Sequence, residues 1–349
     1  MSAGHGQAAV PRELVDLERL AEWMDGQGLG HGPLEDVTSL GGGTQNILLR
    51  FTRDGHDYVL RRPPEHKRRN SDETMRREAR VLEALRDTEV PHPGFVAGCP
   101  HTDVIGAAFT LMRHVEGFNP TVEVPEPYRR DPALHRDLGL AMVDGLLALA
   151  RVEPTAVGIG DLGRPDGWLE RQVSRWRRQL DGYRDLDVRA GTRLPHVEET
   201  GRWLQEHRPA TSRTGLIHGD YHLANVLARR DVGALAAVVD WELATQGDPL
   251  LDLGHLLATW PSPGDPAQVT PVDLPGLPRG EELVEHYAAR SDRDLGDIAW
   301  FRVLACYRLG ILLEGTHARA LAGLAPPETG RRLHVQAVSL LEQARRLIG

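Results

Sequence analysis

At 349 residues and 40% hydrophobic content, the chain is long enough to fold as two lobes or domains, each with a core of its own. A formal net charge of -9 argues against general affinity for nucleic acid, and no run of about 18 or more apolar residues predicts a membrane span. Cys99 and Cys306 stand far apart in sequence, offer neither a disulfide framework nor zinc spacing, and read as buried apolar fillers.

Residues 1 to 10 form a small, polar tail without the basic start and apolar centre of a secretory signal, so the default expectation is a cytoplasmic location. From Pro11 to Asp25, Leu14, Leu17, Leu20, Ala21 and Met24 share one face of a helix that Gly26 ends. Val37 to Leu40 and Ile47 to Phe51 read as strands around the turn Gly41-Gly42-Gly43-Thr44-Gln45-Asn46. Such a turn, poor in side chains, lets backbone N–H groups approach phosphate oxygens. Asp54-Gly55 turns the chain into a third strand, Tyr58 to Arg62, which Pro63-Pro64 stops; alternation places Val59 and Arg61 on one face and Leu60 and Arg62 on the other. A helix from Ser71 to about Arg86 carries Met75, Ala79, Leu82 and Leu85 on its apolar face, with Glu78 at the edge. Phe95 to Cys99 and Ala107 to Met112 complete five strands, and Arg113-His114-Val115-Glu116-Gly117 reads as a hinge. The expected domains are 1–115 and 116–349.

The second domain reads as mostly helical. Its first helices are Pro132 to Val152 and Asp166 to Tyr183, the latter with Arg171, Arg175, Arg177 and Arg178 around an apolar stripe. Next comes Leu216-Ile217-His218-Gly219-Asp220-Tyr221-His222-Leu223-Ala224-Asn225-Val226-Leu227. The apolar runs Asn225 to Leu227 and Leu235 to Val239 flank a polar turn and read as a hairpin, which brings Asp220, Asn225 and Asp240 together. That trio suits phosphoryl transfer from a nucleotide: one carboxylate orients and accepts the proton of an attacking hydroxyl, while an amide oxygen and a second carboxylate hold Mg2+. Asp248 reads as a cap ahead of Pro249, a proline-rich loop spans Pro261 to Pro278, and helices are expected at about Gly280 to Arg290, Leu295 to His317 and Pro326 to Leu347. Arg302, Arg308 and Glu314 either line an acceptor pocket or pair with one another.

His218-Gly219-Asp220 with Asn225, followed by Val239-Asp240-Trp241-Glu242, resembles the aminoglycoside phosphotransferase family, small-molecule kinases that share the two-lobed protein-kinase fold. The resemblance runs from about Val37 to the last helix. It implies an α+β fold, with an N-lobe of five antiparallel strands plus a helix and a mainly helical C-lobe containing a catalytic β-hairpin. It also implies Asp220 as catalytic base, Asn225 and Asp240 as Mg2+ ligands, and ATP or GTP covered by Gly42, Gly43, Thr44 and Asn46. Adenine would meet the backbone at His114 and Val115. Arg61 stands where the family carries a lysine, with Arg62 and Lys67 as rivals, and Glu78 matches the helix glutamate that pairs with that base. Kinase-like domains fused to acyl-CoA dehydrogenases carry arginine at this place, with strands reading much like Tyr58-Val59-Leu60-Arg61-Arg62-Pro63-Pro64. Asp252 is expected to brace the catalytic loop, His218 to shape it, and His222 is a candidate contact for the acceptor.

The implied acceptor is a hydroxyacyl-CoA-like acid, an aminoglycoside, a macrolide or an amino alcohol, and the protein a monomer or homodimer. A nucleotide-binding pseudoenzyme acting through protein contacts is the alternative. Asp240-Trp241-Glu242 in place of Asp-Phe-Gly disfavours a protein kinase.

Overall fold

The computed structural model describes residues 15–41, 46–64, 70–186, 194–261 and 269–349. The chain divides into two compact units, Met1–Glu116 with Val239–Glu242, and Gly117–Val238 with Leu243–Gly349. The tetrapeptide around Asp240 thus belongs with the first unit although it lies far along the chain.

In the first unit, helix α1 (Leu17–Gly26) starts where the Asp16 carboxylate accepts the Arg19 N–H at 3.0 Å. The expected start at Pro11 lies outside the described residues. Strands β1 (Glu35–Ser39), β2 (Ile47–Arg53), β3 (His56–Arg62), β4 (Phe95–Cys99) and β5 (Phe109–Arg113) form one antiparallel sheet in the order β1-β2-β3-β5-β4. Asp54 and Gly55 both take positive φ, which matches the right-handed twist of the strands that their tight turn joins. Leu20 and Met24 of α1 pack with Phe51, Leu60, Phe109 and Leu111 of the sheet. The fully buried Arg53 side chain fastens this seam, donating to Asp25 Oδ1 (2.5 Å), the Ala21 carbonyl (3.0 Å) and the Gly32 carbonyl (3.1 Å). Helix α2 (Ser71–Leu85) buries Met75, Glu78, Val81, Leu82 and Leu85, so Val81 takes the place expected for Ala79.

The second unit contains α3 (Glu126–Arg130), α4 (Ala133–Ala150), α5 (Trp168–Gly182), α6 (Val197–Glu206), α7 (Leu250–Thr259), α8 (Gly280–Ala288), α9 (Ile298–Leu321) and α10 (Pro327–Leu347). Two antiparallel ribbons accompany them, β6 (Gly215–Ile217) with β9 (Thr245–Gly247) and β7 (Val226–Ala228) with β8 (Leu235–Val238). The β7–β8 ribbon is the hairpin legible in the sequence; α6 and the β6–β9 pairing were not expected. Helix α7 begins at Leu250 because β9 occupies Thr245–Gly247, and the Asp248 carboxylate accepts the Leu250 N–H at 3.0 Å. Every residue of α7 is buried, which is why its sequence is apolar on all sides. Cys99 and Cys306 are free and buried. Among the described residues no helix is long and apolar enough to cross a membrane.

Candidate active site

In the second unit the loop after β6 is pinned from several directions. Gly219 takes φ +82°, and a Cβ there would stand 2.6 Å from the Leu243 carbonyl oxygen, so both conformation and space call for glycine. Asp252, on the first turn of α7, accepts the His218 N–H on Oδ2 at 2.6 Å and the Gly219 N–H on Oδ1 at 2.9 Å. Burial pushes this carboxyl up to about 6, with the two N–H groups opposing. The imidazole of His218 accepts the Asp220 N–H through Nδ1 at 3.2 Å, and the buried Tyr221 hydroxyl donates to the Met142 carbonyl at 2.8 Å. These ties leave the Asp220 side chain partly exposed at the end of a rigid turn.

Three side chains converge on Asp220. The Asn225 amide donates to Oδ2 and to the Asp220 carbonyl, both at 2.9 Å, which leaves its own oxygen as its remaining acceptor. His222 faces Oδ2 at 3.4 Å and His255 faces Oδ1 at 3.3 Å. His222 Nδ1 accepts the Ala224 N–H at 3.2 Å, so a neutral His222 carries its proton on Nε2, toward Asp220. Burial alone would push the Asp220 carboxyl up; His222, then His255, outweigh it and hold the group well below the usual carboxylate range. His255 itself is pushed down to about 4, first by burial, so near neutral pH it is an uncharged ring whose Nε2 faces Asp220 Oδ1.

In the first unit, Arg61 on β3 gathers three carboxylates. Its Nε lies 2.9 Å from Glu78 Oε2, and its Nη2 lies 2.5 Å from Asp240 Oδ1 and 3.8 Å from Glu242 Oε2. Burial works against the Arg61 charge, but Glu78 and Asp240 outweigh it and hold the guanidinium charged. Burial pushes the Glu78 carboxyl up, with Arg61 opposing. Three acids thus surround one guanidinium. Asp240 takes φ +66°, a left-handed conformation uncommon outside glycine, while the next residue, Trp241, is buried as an anchor.

The rival base Arg62 donates to the Pro63 and Ile105 carbonyls at 3.0 and 2.9 Å, on the opposite face of β3. Lys67 and the candidate phosphate-loop residues Gly42, Gly43 and Thr44 lie outside the described residues, whereas Asn46 immediately precedes β2. The His114 N–H reaches the Asp57 carbonyl at 3.5 Å, and burial pushes the His114 imidazole down; Val115 is half-buried beside it. Glu314 pairs with His334 rather than with an arginine, at 2.7 Å. Of the α5 arginines, Arg177 pairs with Glu198 at 2.5 Å and Arg171 donates to the Asp166 and Arg164 carbonyls. His255 and Glu242 were not singled out in the sequence. His255 lies three residues after Asp252, one helical turn along the same face, and that spacing is the signal that would have found it.

Residues 36–283 match the sequence model of the phosphotransferase enzyme family. Acyl-CoA dehydrogenase family member 10 of Mus musculus and family member 11 of Rattus norvegicus are each 27% identical to the chain and cover 90% of it. The chain spans only 29% and 41% of their respective lengths. A provisionally named aminoglycoside phosphotransferase of Ralstonia eutropha has a similar structure, at TM-score 0.76 and 28% identity over 95% of this chain and 99% of that one. The GDP complex of aminoglycoside 2'-phosphotransferase-IIIa has the same fold at TM-score 0.61, with 16% identity over 95% and 99% of the two chains.

Proposed function

The chain belongs to the phosphotransferase enzyme family, and from that premise we propose that it transfers the γ-phosphoryl group of ATP or GTP to a hydroxyl of a small molecule in the cytoplasm. The observation that carries this reading is the Asp220 constellation: a partly exposed carboxylate held ionised by its neighbours, on a loop braced through its backbone by Asp252. In phosphoryl transfer through a loose transition state the base mainly orients the attacking hydroxyl and takes its proton late, so low basicity is compatible with the task.

Asp220 accepts the hydroxyl proton and aligns its oxygen. Asn225 fixes the Asp220 carboxylate through its amide nitrogen and offers its amide oxygen to Mg2+, and Asp240 offers the second oxygen. This donor set of hard oxygens suits Mg2+, which when bound neutralises charge on the nucleotide phosphates. Arg61, oriented by Glu78, contacts the phosphates as a planar fork, and Asn46 with Gly42, Gly43 and Thr44 covers them. Backbone groups at His114 and Val115 meet the base.

The acceptor class with most support is a hydroxyacyl thioester, because the similar proteins include acyl-CoA dehydrogenase family members 10 and 11. The test is a screen of ATP and GTP against 3-hydroxyacyl-CoA thioesters, aminoglycosides, macrolides and amino alcohols, read as nucleoside diphosphate release and a phosphorylated product. Mg2+-dependent transfer to a thioester hydroxyl is the expected result. Nucleotide binding without transfer to any acceptor would instead favour the pseudoenzyme reading.

A further inference from the structure

We propose that Glu314, His317 and His334 form a binding site for a divalent transition metal of the Zn2+ class between α9 and α10, separate from the residues assigned to Mg2+. Glu314 and His317 are three residues apart on α9 and so share one face. Gly330 allows α10 to close onto that face, since a Cβ there would stand 2.3 Å from the Ala320 Cβ. One turn further along α10, the His334 ring stacks on that of His317, with centroids 4.4 Å apart and an interplanar angle of 26°. One ligand atom from each of the three side chains lies within 4.8 Å of the others.

The hydrogen bonding of this cluster is incomplete. Glu314 is fully buried, and His334 Nδ1 meets its Oε2 at 2.7 Å. Among the described residues, Glu314 Oε1 and His317 Nδ1 are both buried without a hydrogen-bond partner. Each such orphaned group is destabilising, and more so where it is charged. A cation that accepts lone pairs from the carboxylate and both rings satisfies these atoms together. Two imidazoles and a carboxylate are borderline N and O donors that suit Zn2+ rather than Mg2+, and three protein ligands leave a fourth position for water. Ligand atoms about 2.0–2.2 Å from zinc lie roughly 3.5 Å from one another, so the present spread of up to 4.8 Å contracts on binding. A bound metal would clip α9 to α10.

The experiment uses the full chain stripped with a chelator and titrated with Zn2+, followed by calorimetry and by metal analysis after desalting. Asp220, His222 and His255 form a second cluster with metal-ligating atoms, so the site is read as the difference between wild type and variants. His317→Gln and His334→Gln should each bind one equivalent fewer than wild type. Alternatively, they should bind it at least about 10²-fold more weakly, the upper end of what losing an outer-sphere partner costs. Zn2+ should raise the thermal midpoint of the wild type and leave that contribution out in the variants. Should His334→Gln fail to fold, His317→Gln decides alone, because its Nδ1 has no hydrogen bond among the described residues to lose. Uptake equal in number and affinity in wild type and His317→Gln, or no Zn2+ uptake by wild type, overturns the proposal.

Discussion

Replacing His255 by glutamine tests the electrostatics of the Asp220 constellation without touching the carboxylate itself. His255 is fully buried on α7 and faces Asp220 at 3.3 Å. Burial lowers its pKa from 6.5 to about 4, with Asp220 opposing. Between those values the unfolded chain binds a proton that the folded chain refuses. Stability is therefore intact above pH 6.5 and is lost as pH falls toward 4. At about 1.4 kcal/mol per pH unit, the full loss is about 3 kcal/mol. Glutamine does not titrate and retains an N–H donor. The assay is urea unfolding of wild type and His255→Gln at several pH values between 4 and 8, with the difference taken at each so that titrations common to both proteins cancel. The wild type should lose about 3 kcal/mol relative to the variant across the window, most of it by pH 4.5. A difference independent of pH would show that His255 is not held neutral by burial and would remove the account of how Asp220 is flanked.

Two further substitutions probe the scaffold. Arg61→Lys cannot reach Glu78 and Asp240 together as the Nε and Nη2 of the guanidinium do, and loss of one charge-assisted contact of about 1.5–3 kcal/mol should lower kcat/KM by roughly 10- to 100-fold. Unchanged kinetics would mean that the fork plays no part in turnover. Gly219→Ala forces a side chain into a left-handed backbone and against the Leu243 carbonyl, so urea unfolding should show a loss of about 2–4 kcal/mol, with activity falling alongside. Full stability in that variant would contradict the geometry assigned to the loop.

The hairpin and the five-stranded sheet were legible because their signals are local: Asp54-Gly55 fixes a turn, and the alternation around Tyr58 to Arg62 assigns opposite faces to Arg61 and Arg62. The pairing of Glu78 with Arg61 came from the family resemblance rather than from a local signal, and the two stand 2.9 Å apart. His255 was hidden because α7 is buried on every side, so no polar face marked it out. The β6–β9 pairing joins three-residue segments separated by the whole Asp220 loop and the β7–β8 ribbon, and strands that short carry no periodicity. The left-handed Asp240 escaped notice because an aspartate ending an apolar strand gives no sign of its φ. Glu314 was read with the arginines of its own helix, whereas its partner, His334, comes from the next one.

The central claim is that Asp220 serves as the base of a nucleotide-dependent phosphotransferase. It is tested most directly by measuring kcat for Mg2+-dependent transfer to the acceptor identified by the screen, in wild type and in an Asp220→Asn variant whose fold is verified by circular dichroism. A fall on the order of 10²-fold or more, with the nucleotide KM little changed, is predicted. Turnover equal to wild type would contradict it.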